Sequence, residues 1–200
     1  MTENSDLINV DHTSITHIEQ NDSSSELHYL NRKWDLWYHD PNNTCYTLES
    51  YIKLGTIDTI ESFWNYFYQL KLTQLQNGMF FLMHEGVKPT WEDNIKGGSW
   101  SYKIDKKDIA QAWTKLSVHL LSDNFIEENS AHPNLPTQMV GISISPKKTF
   151  SIFKVWIDNH MMQPYIKIME ALPFLQDETP MYRSHEEVKA KEEMIRQQTN

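Results

Sequence analysis

Cysteine occurs once in these 200 residues, as Cys45. A single thiol excludes an intramolecular disulfide and accords with a reducing compartment. Long hydrophobic runs are missing too. The longest apolar stretches, such as Met79–Met83, fall far short of the roughly 20 residues that span a bilayer. The N-terminal residues are acidic and polar, with nothing resembling a signal peptide. A soluble, cytoplasmic protein is expected, with no membrane partner. The chain also lacks a phosphate-cradling GxxxxGK[ST] loop, a GxGxxG dinucleotide fingerprint and any metal-spaced set of His and Cys. Its nine His are scattered, and Cys45 has no convincing base partner in sequence. No enzyme activity, metal or cofactor is expected.

Lysine and arginine are absent from positions 1–27, which carry six acids. The formal net charge of −9 argues at first against a nucleic-acid partner. Residues 28–185, however, hold 17 acids and 15 bases, so this part is nearly neutral. It offers no broad basic face for duplex or long RNA, yet has room for a small phosphate site. Three units follow. Residues 1–27, with Ser23-Ser24-Ser25 and no aromatic residue, bury too little apolar surface to order themselves and read as a disordered acidic tail. Residues 28–185 form one domain, large enough for a real core. Residues 186–200 form a charged C-terminal helix or tail.

Within the domain, Trp34–Tyr38 and Tyr46–Leu54 read as strands. Asp58-Thr59-Ile60-Glu61 resembles a capping box, with Asp58 at the N-cap, opening a helix with Phe63, Trp64, Phe67 and Leu70. Asn77-Gly78 is a turn before the strand Met79–His84. Ser99–Ile104 is a further strand. Asp105 or Asp108 then caps a helix through Leu121, with Ile109, Trp113, Leu116 and Leu120 at helical spacing. Ile126–Pro136 is a polar loop, and Gln138–Ser145 and Phe150–Asp158 are strands joined by Pro146-Lys147-Lys148-Thr149. A helix runs from Asn159 to about Leu175, Glu178–Arg183 adds a short edge strand, and Ser184-His185-Glu186-Glu187 caps the last helix. Hairpins alternating with single helices imply an α+β fold, a curved, mostly antiparallel sheet with helices on one face.

The stretch from Lys88 to Trp100 carries the most chemistry. Trp91 and Glu92 adjoin on a polar segment bounded by Pro89 and by Gly97-Gly98. A core has little use for Trp beside two acids in a turn-rich loop. A flat, cationic, hydrogen-bond-donating ligand would use both. A 7-methylguanine base fits: its delocalised positive charge suits an indole face, and its N1–H and N2 amine suit one carboxylate.

Trp34-x-x-Trp37, Asp58-Thr59-Ile60-Glu61-Ser62-Phe63-Trp64, Pro89-Thr90-Trp91-Glu92-Asp93, Gly97-Gly98-Ser99-Trp100, Trp156 and Tyr182-Arg183-Ser184-His185 follow one another in an order that resembles the eukaryotic translation initiation factor 4E family. The likeness covers roughly residues 28 to 185. It implies a single curved sheet of eight strands backed by three helices, with the mRNA cap in the concave face. It further implies that Trp91 stacks on the 7-methylguanine, that Glu92 accepts from its N1–H and N2 amine, and that Trp156 touches the N7-methyl group. The family usually places a second stacking Trp between the first two strands. This chain has Tyr46 nearest that place, one residue from the strict count at Thr47, with Tyr51 as the alternative. Lys147 stands where the family has a phosphate-binding Arg, and Thr149 where it has a Lys, beside Lys148. Ile152 replaces a further family Lys, and strand alternation puts Lys154 on the same face to supply that charge. Lys96 is a weaker candidate for phosphate.

The same resemblance implies a peptide-binding surface on the helices, made by His28, Tyr29, Ile60 and Trp64. After Trp113 the family has Leu-Glu; here stand Thr114 and Lys115. Lost apolar area and reversed charge disfavour the usual partners and favour an acidic one. The expected partners are capped mRNA and a scaffold or repressor peptide, bound by a monomer. The expected function is recruitment of capped mRNA to translation initiation, with a cap-holding repressor that does not engage the usual scaffold as the alternative.

Overall fold

The computed structural model describes residues 26–122, 139–160 and 180–199. These residues build one sheet from β1 (Tyr29–His39), β2 (Tyr51–Thr59), β3 (Met79–His84), β4 (Gly98–Asp105), β5 (Met139–Pro146), β6 (Phe150–Ile157) and β7 (Met181–Ser184). Its order is β2-β1-β3-β5-β6-β4-β7, and every pairing is antiparallel. The helices are α1 (Ile60–Gln69), the short α2 (Leu72–Asn77), α3 (Ile109–Leu121) and α4 (His185–Thr199). The α+β class and the antiparallel sheet are as expected. The strand count is seven rather than eight among the described residues. The expected 126–136 loop and the helix from Asn159 to Leu175 lie, apart from Asn159 and His160, outside them, as does nearly all of the 1–27 tail.

Strand alternation divides the apolar residues into two bodies. One face of the sheet sends Trp34, Leu36, Phe80, Leu82, Ile142, Phe153 and Val155 into a main core, where Phe63, Phe67 and Trp113 arrive from the helices. Trp113 and Phe153 are fully buried, and Phe67 stacks on Trp113 at 5.9 Å, joining α1 to α3. The opposite face carries a smaller cluster: Trp37, Phe81, Met83, Val140 and Trp156. Central strands apolar on both faces imply cover on both. The helices cover one side, and the second cluster underlies the site described below.

Three local expectations are corrected. The N-cap of α1 is Thr59, not Asp58: Thr59 Oγ1 accepts from Ser62 N–H, and the Ser62 hydroxyl accepts in turn from Thr59 N–H, both at 3.0 Å. Ser62 holds the N3 position that the sequence reading gave to Glu61. Glu61 pairs instead with His28, whose Nδ1–H donates at 2.7 Å and whose backbone N–H donates at 3.1 Å. Second, the strand expected from Tyr46 begins only at Tyr51, after a short 3₁₀ turn at Leu48–Ser50. Third, the edge strand expected over Glu178–Arg183 excludes Pro180 and runs from Met181 to Ser184; Glu178 and Thr179 lie outside the described residues. Asp108 does precede α3, but its side chain makes no cap bond.

Candidate functional site

The site is built on the second cluster. Pairing registers set Trp37, Phe81, Ser143, Lys154 and Ser101 in one row across the sheet, and Asp35, Met83, Gly141, Trp156 and Ser99 in the next. Trp156 is buried, with its indole N–H donating to Ser143 Oγ at 2.9 Å. Trp91 is half-buried and packs on this cluster from the loop after β3, as does Val87, while Tyr51 and Met79 reach it from the starts of β2 and β3.

Several bonds fix that loop. Asn94 N–H donates to Trp91 O at 3.1 Å, Gly97 N–H to Asn94 O at 2.9 Å, and Thr90 Oγ1 to Asp93 Oδ2 at 2.7 Å. Toward the sheet, the Asn94 side-chain amide donates to Ile157 O at the end of β6, at 3.3 Å. From the start of α4, His185 Nδ1–H donates to Asn94 O at 2.8 Å, and its backbone N–H to Gly97 O at 3.0 Å. The paired glycines follow from this approach. A Cβ on Gly97 would collide with Ile157 O, and one on Gly98 with the Tyr182 hydroxyl. Trp91 thus stands on a braced turn, as a stacking platform requires.

Sequence reasoning missed His185 in this role. Its ring lies 4.8 Å from Trp156 and is fully buried, and Nε2 has no partner among the described residues. Burial holds its pKa down to about 4; the Asn94 carbonyl opposes that shift and the charge of Lys154 adds to it. The ring is therefore a neutral post between the loop and Trp156. His185 stood in two sequence signals, the Tyr182-Arg183-Ser184-His185 motif and the Ser184-His185-Glu186-Glu187 cap, and neither gave it this role; in the cap, Glu187 N–H does donate to Ser184 Oγ at 3.2 Å.

Glu92 is exposed beside Trp91. Tyr51 lies near it: burial raises the Tyr51 phenol pKa, and the charges of Tyr46 and Glu92 raise it further. Tyr46 is exposed and lies flat on His39, ring centroids 4.8 Å apart and planes 10° from parallel. Tyr51 abuts the same imidazole at 4.6 Å. His39 is fully buried and donates from Nε2–H to Cys45 O at 2.9 Å, tying this segment to β1. Tyr46, Tyr51 and Glu92 are thereby gathered at one side of the cluster.

Cations line the way out along β6. Lys154 is half-buried, and its ammonium lies 5.2 Å from the Trp91 ring centroid. Ile152 is next on that face, paired with Lys103, whose ammonium lies 5.0 Å from the Phe150 ring. Lys103 is a second residue missed in sequence; alternation along β4 was its signal. Lys147 and Lys148 are exposed at the hairpin tip, where Lys147 N–H donates to Phe150 O at 2.8 Å. Lys96 is exposed, and its carbonyl accepts from both His160 N–H and Nδ1–H at 2.8 Å.

On the helical side, Tyr29 and Ile60 are exposed, and Ile60 N–H donates to His28 O at 2.9 Å. Trp64 is half-buried, stacked on the exposed Tyr68 at 5.5 Å. Thr114 and Lys115 are half-buried on α3, next to Trp113.

A family model for "Eukaryotic initiation factor 4E" matches residues 29–200. The chain belongs to that family. The Saccharomyces cerevisiae eukaryotic translation initiation factor 4E is 28% identical over 155 residues, covering 70% of this chain and 67% of the yeast protein. The human type 1B factor is 28% identical over 113 residues, covering 52% of this chain and 46% of its own length. The chain thus spans about half to two thirds of these relatives. Among solved structures, Caenorhabditis elegans eIF4E-3, in complex with the 4E-binding protein Mextli and a cap analog, superposes with a TM-score of 0.66 at 19% identity, over 82% of this chain and 96% of that one. Ascaris suum eIF4E-3, in complex with an m7G cap, gives 0.63 at 20% identity, over 80% and 92%. Those likenesses establish the fold. The family match establishes membership.

Proposed function

We propose that this factor 4E family member binds the 7-methylguanosine cap of mRNA without altering it and recruits capped transcripts to translation initiation in the cytoplasm. The carrying observation is Trp91, an indole held half-open over a separate aromatic cluster by a braced loop, with exposed Glu92 beside it. Stacking a base on an aromatic side chain contributes about 1–3 kcal/mol, and a desolvated cationic base adds about 2 kcal/mol. Methylation at N7 therefore turns a weak stack into a strong one, and the Glu92 carboxylate reads the guanine edge. Tyr46, once off His39, serves as the second ring, with Tyr51 as the alternative. Trp156 meets the N7-methyl group, and Lys147, Lys148 and Lys154 meet the phosphates. The protein should stay on 7-methyl-GTP resin and elute with free 7-methyl-GTP but not GTP. Equal retention on GTP resin overturns the reading.

A second reading rests on Thr114 and Lys115. His28, Tyr29, Ile60 and Trp64 form the partner-peptide surface with them, and the two α3 residues disfavour the usual scaffold peptide. Recovery of the large initiation scaffold on the bait protein supports the recruiter. Recovery of a different, acidic partner alone supports a cap-holding repressor.

A further inference from the structure

The ammonium on Trp91 points to a coupling between base and phosphate recognition. An indole face attracts one cation well, and Lys154, 5.2 Å from the ring centroid, already supplies one. A 7-methylguanine entering the slot is a second. On the same face the two exclude each other; on opposite faces they share one quadrupole and repel. Lys154 rises from the floor one rung from Trp156, between Ser143 and Ser101, with the neutral, buried His185 close by. Along its own strand, Ile152 and then Phe150 lead away from Trp91 toward Lys103 and the Lys147-Lys148 tip. The tip is about 13–17 Å away at about 3.3 Å per residue. Lys154 is thus the cation of this row nearest the Trp91 ring.

We propose that Lys154 is an internal cation of the Trp91 face that the cationic base has to replace, and that the phosphate chain of the same ligand then takes up its ammonium. The inference rests on the cap-binding reading and deepens it. One side chain opposes the base when no phosphate follows and favours the ligand when it does. A nucleotide therefore gains more over the bare nucleoside than charge attraction alone provides.

The test is calorimetric titration of the full chain and its Lys154→Met variant with 7-methylguanosine and with 7-methyl-GTP. Methionine keeps the unbranched stem, one atom shorter, and removes the ammonium and its charge. The variant should bind the nucleoside about two- to fivefold more tightly, since a cation–π competitor is gone. It should bind 7-methyl-GTP about threefold or more weakly, the expectation for a lost charge-assisted contact. Opposite signs for the two ligands carry the proposal. An unchanged or weakened nucleoside overturns it, leaving Lys154 a phosphate contact only. Tighter binding of both ligands also overturns it, because the phosphate half is then absent. Lys154→Gln repeats the comparison should the Met variant misfold. Failure of the parent reading looks different: wild-type protein would bind 7-methyl-GTP no better than GTP.

Discussion

Trp91 and His185 illustrate how one side chain can act as a platform and another as its brace. Trp91→Ala should weaken 7-methyl-GTP about ten- to a hundredfold, in line with about 1–3 kcal/mol for a lost stack, while thermal stability changes little. The second ring is tested in the same titration: Tyr46→Ala should weaken binding more than Tyr51→Phe, which keeps the packing on His39 and Phe81. Equal loss from both would move the stacking role to Tyr51. His185 makes a pH prediction. Its pKa is about 4 in the folded protein against about 6.5 unfolded, so the unfolded chain binds the extra proton first. The stability it contributes is complete above about pH 6.5 and is lost as pH falls toward 4, by up to about 3 kcal/mol. Urea midpoints between pH 7 and 4 should fall less steeply for His185→Asn, which retains a donor for Asn94 O. A parallel pH profile would remove His185 from the account.

At the scale of elements, the turn into α1 separates two readings of one motif. Thr59→Ala should lower stability by about 1 kcal/mol, the cost of losing a reciprocal cap, whereas Asp58→Ala should stay within about 0.5 kcal/mol. Urea denaturation of the two variants decides between them. The sequence pattern located this start to one residue and then favoured the wrong cap, because Asp and Thr are both good N-caps and Glu61 suits N3. The tie is broken where Ser62 closes the cap on Thr59, leaving Glu61 to pair with His28 just ahead of β1. The strand expected from Tyr46 erred for a related reason. Tyr46-Thr47-Leu48 has strand-like side chains, but the Ser50 N–H and hydroxyl both donate to Thr47 O and close a turn there. Trp113, Leu116 and Leu120 are buried as their spacing implied, since a core-facing helix stripe needs no information beyond period and polarity.

Across the whole molecule, two apolar bodies on opposite faces of one sheet separate stability from recognition. The main core takes the helices; the smaller cluster carries the candidate slot. Composition could not reveal this, because Trp34 and Trp37 look alike in sequence and point to opposite faces. The family motifs did mark the Trp91-Glu92 loop. The His39 and His185 contacts were illegible, since each joins segments far apart in the chain or rests on a turn no pattern announces. Charge is the other whole-molecule property. A nearly neutral domain with a short Lys row should bind a capped oligonucleotide with a shallow salt dependence, a log–log slope of about −2 for two or three phosphates. A slope steeper than about −5 would mean a broad basic surface. If this slot reads N7-methylated guanine, tryptophan-fluorescence titration of wild type with 7-methyl-GTP and GTP should show at least tenfold preference for 7-methyl-GTP, and Glu92→Ala should lose that binding; equal affinity of wild type for the two nucleotides would overturn this reading of the slot.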